Sequence, residues 1–140
     1  MTSIEARGSC LCGAVSLHAR ELGTDAGACH CDICRKWGGG PLFALSCGEL
    51  RIEGKDGISV YDSTAWAERG FCSVCGTHLF IRVKPNGRYI LPAGLFPVEG
   101  ELRFDHQIFI DRKPDYYRFA NETKNLTAEE VFAEHAQASE

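Results

Sequence analysis

Seven of the eight cysteines in this chain fall in three short clusters. Cys10-Leu11-Cys12 is the first, Cys29-His30-Cys31-Asp32-Ile33-Cys34 the second and Cys72-Ser73-Val74-Cys75 the third. Close pairs of this kind suit a tetrahedral metal site, because a short loop lets two thiolates face one ion at about 2.3 Å. Gly8 and Gly13 flank the first cluster, and Gly70 and Gly76 flank the third, so the backbone can fold tightly around an ion.

The alternative use of cysteine is a disulfide framework. The first residues, Met1-Thr2-Ser3-Ile4-Glu5-Ala6-Arg7, carry no apolar signal-peptide core, so the expected compartment is the reducing cytoplasm. There clustered cysteines read as metal ligands or catalysts. The length of 140 residues fits one domain, residues 1–140, with enough core to fold without cross-links. An apolar content of 44% with 24% charge is that of an ordered globular chain. No apolar run approaches the about 20 residues of a membrane span, so no membrane partner is expected. A net charge of −4 speaks against a nucleic-acid surface, which needs a basic excess.

Between the cysteines the chain reads as short apolar runs broken by turn residues. Val15–His18, Leu42–Leu45, Leu50–Ile52, Ile58–Tyr61, His78–Val83, Tyr89–Leu91 and Gln107–Ile110 are rich in β-branched and aromatic residues and are expected strands. Pro85-Asn86-Gly87 is a hairpin signal. Thr127-Ala128-Glu129-Glu130 has capping-box spacing, and Val131, Phe132, His135 and Ala136 recur at helical intervals, so a short C-terminal helix follows. The expectation is a mainly-β domain with a terminal helix.

Seven ligands divide naturally into four and three. Pairing Cys10 and Cys12 with Cys72 and Cys75 gives a closed, structural site. Cys29, Cys31 and Cys34 then form a trio with an open fourth position, the mark of a catalytic metal. Spacing leaves alternatives open. The N-terminal pair can instead join Cys29 and Cys31, and Cys47, His30 or His78 can close the second site. Cys47 ends an apolar run, where a lone cysteine usually serves as a small buried hydrophobe.

Other side chains near the trio have bland and sharp readings. Arg35 and Lys36 are candidate contacts for a substrate carboxylate, or charges that offset an anionic thiolate cluster. Gly38-Gly39-Gly40 offers backbone N–H groups to a small anion or is simply a turn, and Trp37 reads first as core. His30 stands between two ligands, so in extended chain its side chain points away from the metal. Asp105 and His106 are expected on opposite faces of a strand, which favours a structural role over proton transfer.

Cys29-His30-Cys31-Asp32-Ile33-Cys34-Arg35-Lys36 with Gly38-Gly39-Gly40-Pro41 resembles the signature of the glutathione-dependent formaldehyde-activating enzyme family, also called centromere-protein-V-like. Cys10-Leu11-Cys12-Gly13, Phe71-Cys72-Ser73-Val74-Cys75-Gly76-Thr77 and the Asp105–Ile110 run before Lys113-Pro114 extend the resemblance over about residues 8–118. After that proline this chain carries Asp115-Tyr116-Tyr117, where many relatives carry tryptophan. The resemblance implies an Mss4-like complex of β-sheets with two Zn2+ per chain. It implies that Cys10, Cys12, Cys72 and Cys75 hold a structural zinc, and Cys29, Cys31 and Cys34 a functional one. It implies a carbon–sulfur lyase or synthase that joins glutathione to formaldehyde. The competing reading from another class is a non-catalytic, zinc-stabilised thiol-binding or protein-interaction module.

Overall fold

The computed structural model describes residues 2–138, with side chains through Glu134. Eleven strands form one sheet system. They are β1 (Ser3–Ser9), β2 (Ser16–Gly23), β3 (Asp25–Cys29), β4 (Leu42–Cys47), β5 (Leu50–Glu53), β6 (Ile58–Thr64), β7 (Ala67–Cys72), β8 (His78–Val83), β9 (Tyr89–Pro92), β10 (Arg103–Ile108) and β11 (Lys124–Leu126). Two α-helices accompany them, α1 (Asp32–Gly38) and α2 (Ala128–Ala138). Among the described residues no helix is long and apolar enough to cross a membrane.

The main path of the sheet runs β11-β10-β3-β4-β9-β8-β7-β6. A side branch is built on β2, which pairs with β1 and β5 and touches β4 through Leu22 opposite Cys47. Most pairs are antiparallel, but β10 lies parallel to both β3 and β11. That placement matters for the site. It sets Ile108 opposite Cys29 and lets the His30 N–H donate to the Ile108 carbonyl at 3.1 Å. The chain beyond β10 therefore runs alongside the second cysteine cluster.

The mainly-β expectation and the terminal helix are both realised. The hairpin forms between β8 and β9, with the Gly87 N–H donating to the Val83 carbonyl at 2.8 Å. Thr127 and Glu130 make the reciprocal capping box. The Glu130 side chain accepts from the Thr127 N–H at 2.9 Å, and Thr127 Oγ1 from the Glu130 N–H at 3.2 Å. Val131 is buried and Phe132 half-exposed, while the side chains of His135 and Ala136 lie outside the described residues. The expected strand Gln107–Ile110 overran. β10 stops at Ile108 because Phe109 turns left-handed (φ 55°) and a 3-10 turn covers Ile110–Arg112. The opposite-face expectation for Asp105 and His106 also fails. The β3–β10 register shifts between Phe104 and His106, and this bulge turns both side chains to one side, with His106 Nδ1 2.5 Å from Asp105 Oδ1.

Two apolar clusters fill the interior. The larger gathers Val15, Leu17, Leu22, Leu45, Leu79, Leu91 and Phe96, with Cys10 and Cys72 packed among them. The smaller joins Cys29, Cys34, Ala67 and Ile81. Each cysteine group thus rests on its own buried apolar bed.

Candidate metal centres and the cavity beside them

The sulfurs of Cys10, Cys12, Cys72 and Cys75 all lie within 4.8 Å of one another. Two similar turns bring them together. In the β1–β2 loop the Cys10 N–H donates to the Val15 carbonyl and the Gly13 N–H to the Cys10 carbonyl. After β7 the Cys72 N–H donates to the Thr77 carbonyl and the Gly76 N–H to the Cys72 carbonyl. Gly13 (φ 82°) and Gly76 (φ 78°) take the left-handed conformation that closes each turn. Leu11 N–H donates to Thr77 Oγ1 at 3.1 Å and stitches one turn to the other.

Sulfur spacing identifies the kind of centre. Cys10 Sγ to Cys12 Sγ is 3.6 Å, and Cys12 Sγ to Cys72 Sγ is 3.7 Å. A disulfide needs about 2.05 Å. A tetrahedron with Zn–S bonds of about 2.3 Å has an edge of about 3.8 Å. The donor set therefore fits a closed four-thiolate site. Hydrogen bonds from the Thr77 side chain and backbone hold the Cys75 thiol down to about 5, so a ligand is already ionised near neutrality.

Cys29, Cys31 and Cys34 form the second group, again within 4.8 Å. Cys29 ends β3, Cys31 caps α1, and Cys34 sits buried in the first turn of that helix. Cys31 Sγ accepts the Cys34 N–H at 3.3 Å. The Cys29 and Cys34 thiols donate to Cys31 and bring it down to about 2, whereas Cys29, hydrogen-bonded to the other two and buried, is pushed up. The hydrogen bonds of the trio thus converge on Cys31, and a metal would displace the thiol protons.

Among the described residues no further cysteine, histidine or carboxylate joins the trio. Cys47 is fully buried in the larger cluster, its Sγ donating to the Glu49 carbonyl at 3.2 Å, and burial raises its thiol. His30 is fully buried but faces the other way. Its Nε2 donates to Gln107 Oε1 at 2.8 Å and its Nδ1 accepts from the Tyr117 hydroxyl at 2.7 Å, a tautomer suited to a ring kept neutral by burial. His78 packs 4.8 Å from Trp37, with Phe71 against the same indole.

The cation at the trio is one the sequence did not single out. Arg69, on β7, is only 5% exposed. Its Nη2 donates to Cys34 Sγ at 3.4 Å, and its guanidinium lies 5.7 Å from the Trp37 ring centre. Its Nε is buried with no partner among the described residues. The available signal was an arginine two residues from Ala67 and three before Cys72, on one run with buried neighbours. Arg35 and Lys36 are placed differently. Arg35 Nε donates to the His30 carbonyl at 3.0 Å and its Nη2 pairs with Asp32 at 3.0 Å, while Lys36 is exposed.

A cavity of ≈250 Å3 opens beside the trio. Cys31, Arg69 and Arg112 line it together with the rings of Trp66, Phe109 and Phe132. Arg35 and Lys36 are not among its walls. Phe109 holds its left-handed backbone at this wall, a conformation costing about 1–3 kcal/mol that clusters at functional sites. A larger cavity of ≈500 Å3, bordered by Arg7, His18 and Arg51, contains none of the cysteines.

Comparison with known proteins gives the following likenesses. Residues 5–112 match the family model described as glutathione-dependent formaldehyde-activating enzyme. An uncharacterised lyase of Schizosaccharomyces pombe is 39% identical over 130 residues, covering 91% of this chain and 94% of that protein. A Halomonas elongata protein, named as a candidate glutathione-dependent formaldehyde-activating enzyme, is 34% identical over 88 residues, 53% of this chain and 54% of that one. A crystal structure of a Rhodobacter sphaeroides protein superimposes with a TM-score of 0.57 at 26% identity, over 66% of this chain and 88% of that one.

Proposed function

This chain belongs to the glutathione-dependent formaldehyde-activating enzyme family, and from that premise we propose that it binds a small thiol at the three-cysteine centre and adds it to an aldehyde. Glutathione is the first candidate thiol and formaldehyde the first candidate aldehyde. The reaction class is that of a carbon–sulfur lyase or synthase working in a reducing, cytoplasmic setting. One observation carries the reading: Cys29, Cys31 and Cys34 converge with no fourth protein ligand among the described residues, and Cys31 faces a cavity.

Cys29, Cys31 and Cys34 would hold one zinc, and Cys10, Cys12, Cys72 and Cys75 a second, structural one. A zinc held by these three residues would supply the positive charge that keeps a substrate thiol ionised. The chain's own groups do the rest. Arg69 offsets the negative charge gathered on the sulfurs, since its guanidinium already touches Cys34. As the thiolate sulfur bonds to the carbonyl carbon, the C=O π pair moves onto oxygen, and a guanidinium beside it stabilises that charge. The oxygen then takes a proton from water, balancing the one lost by the thiol. Arg112, half-exposed at the cavity and loosely paired with Asp32 at 3.7 Å and Asp111 at 3.9 Å, can exchange these for a substrate carboxylate, a task that sequence assigned to Arg35 and Lys36.

Native mass spectrometry and cobalt substitution test this. Two metals per chain are expected, and glutathione should alter the absorption of the cobalt protein. Exchange spectroscopy by NMR should then show faster formation of S-hydroxymethylglutathione than in buffer. A single metal, or a cobalt spectrum blind to thiols, would sink the reading. A responsive spectrum without rate gain would make the protein a thiol carrier.

A further inference from the structure

The cavity beside Cys31 fits neither of the two first-candidate substrates well. Water occupies about 30 Å3 in the liquid, and formaldehyde, with two heavy atoms, is little larger. A chamber of ≈250 Å3 would leave formaldehyde surrounded by empty space or water. The arms of glutathione are charged and amide-rich, yet the chamber's walls are mostly carbon. Trp66, Ala67, Phe109 and Phe132 supply carbon, while Asp32, Ser63, Thr64 and the two arginines are the polar groups among the walls.

The three rings form a built arrangement. Phe132 meets Phe109 edge-on, with centroids 5.7 Å apart at 89°, and meets Trp66 edge-on at 6.5 Å and 89°. Trp66 precedes β7, Phe109 follows β10, and Phe132 comes from α2, beyond the 5–112 stretch matched by the family model. α2 is pinned in place, since the Ala128 N–H donates to Asp111 Oδ1 at 2.8 Å in addition to the capping box. Phe132 remains 51% exposed and Trp66 40% exposed, so among the described residues nothing fully covers these apolar faces at the chamber.

We propose that this chamber seats the apolar, preferably aromatic, substituent of an aldehyde larger than formaldehyde, and that Phe132 on α2 is a residue that sets this preference. The proposal rests on the thiol-to-aldehyde reading above. The thiol sulfur binds at the trio, the carbonyl lies toward Arg69, and the substituent fills the space between Trp66, Phe109 and Phe132. The step balances as before: one S–C bond forms, the π pair of C=O becomes an oxygen lone pair, and one proton passes from thiol to oxygen through water.

The probe is 3-phenylpropanal, compared with formaldehyde, on zinc-loaded full-length protein with glutathione as thiol. Two readouts apply, the rate of hemithioacetal formation by NMR exchange and quenching of tryptophan fluorescence by the aldehyde without thiol. The expected result is a kcat/KM for 3-phenylpropanal above that for formaldehyde, with saturable quenching that disappears in Trp66→Phe. Phe132→Ala should lower the selectivity ratio tenfold or more, and Phe132→Leu should restore most of it. Phe132 is largely exposed, so neither change threatens folding. A preference for formaldehyde, or a ratio and quenching unchanged in Phe132→Ala, overturns the proposal while the cobalt response to glutathione still stands. A preference that follows benzyl mercaptan rather than the aldehyde also overturns it. A cobalt spectrum blind to thiols fails the parent reading instead, and absent quenching in that case fails this one too.

Discussion

The seven clustered cysteines are alike in sequence, but their surroundings assign them different duties. Cys72 is fully buried beneath the larger core, whereas Cys31 faces a cavity. A structural zinc contributes about 10–16 kcal/mol to a folded domain, comparable with or above a typical net stability of about 5–15 kcal/mol. Cys72→Ser is therefore expected to abolish cooperative unfolding, followed by circular dichroism. Cys31→Ser should keep a melting temperature within several degrees of the parent and lose the cobalt response to glutathione. The reverse pattern would mean the structural and open sites are exchanged. Arg69 shows what spacing alone conceals. Sequence marked Arg35 and Lys36 because they adjoin the trio along the chain, yet the guanidinium that reaches a sulfur arrives from β7, 35 positions away. Arg69→Met keeps the apolar volume and removes a buried Nε that has no partner, an orphan costing about 1–3 kcal/mol. With metal at the four-cysteine site only, stability in denaturant should hold or rise, while zinc affinity at the trio, read by chelator competition, falls about 10–100-fold. A large loss of that stability would refute this account of the residue.

At the scale of elements, local signals survived where the contacts that make them are local. The capping box at Thr127 and Glu130, the Asn86-Gly87 hairpin and the run His78–Val83 all formed as read, since each is decided by neighbours in sequence. β1, β3, β7 and β11 were missed, and β3 and β7 show why. Asp25-Ala26-Gly27-Ala28-Cys29 has no large side chains, and Ala67-Glu68-Arg69-Gly70-Phe71-Cys72 mixes charge with glycine. Both are strands because of what lies across from them. A Cβ on Gly27 would stand 2.1 Å from His106 Nε2, and one on Gly70 would stand 2.3 Å from the Phe80 ring. Small residues there are the complement of rings on β10 and β8, and such a match cannot be seen along one strand. The bulge that joins Asp105 to His106 is likewise a product of pairing with β3. Gly27→Ala is expected to cost about 1–3 kcal/mol in urea unfolding through overpacking. His106→Ala in the same chain should return most of that loss, a coupling typical of residues in contact. If the two changes simply add, the ring is not what excludes a side chain at Gly27.

Over the whole molecule the two cysteine groups occupy different mechanical positions. The four-cysteine group ties the β1–β2 branch to the β7–β8 end of the main path, joining segments 60 residues apart. The trio ties only the end of β3 to the start of α1, within six consecutive residues, Cys29–Cys34. Closing a long loop removes more freedom from the unfolded chain than closing a short one. Losing the first metal should thus release tertiary structure, and losing the second should not. Burial does not separate the two groups, since Cys12 is exposed in one and Cys31 half-buried in the other; ligand number does, with four thiolates holding an ion more firmly than three. Zinc release into a chromophoric chelator should accordingly be biphasic, with one equivalent in each phase. The fast phase should leave the circular dichroism unchanged and be slowed by saturating glutathione. The slow phase should coincide with loss of the β signal, since the four thiolates tie distant strands together. A single phase, or a fast phase that carries the unfolding signal, would show that the trio also holds the fold together. The separation of a structural centre from an open one would then be lost, and with it the basis for a substrate position at the second metal.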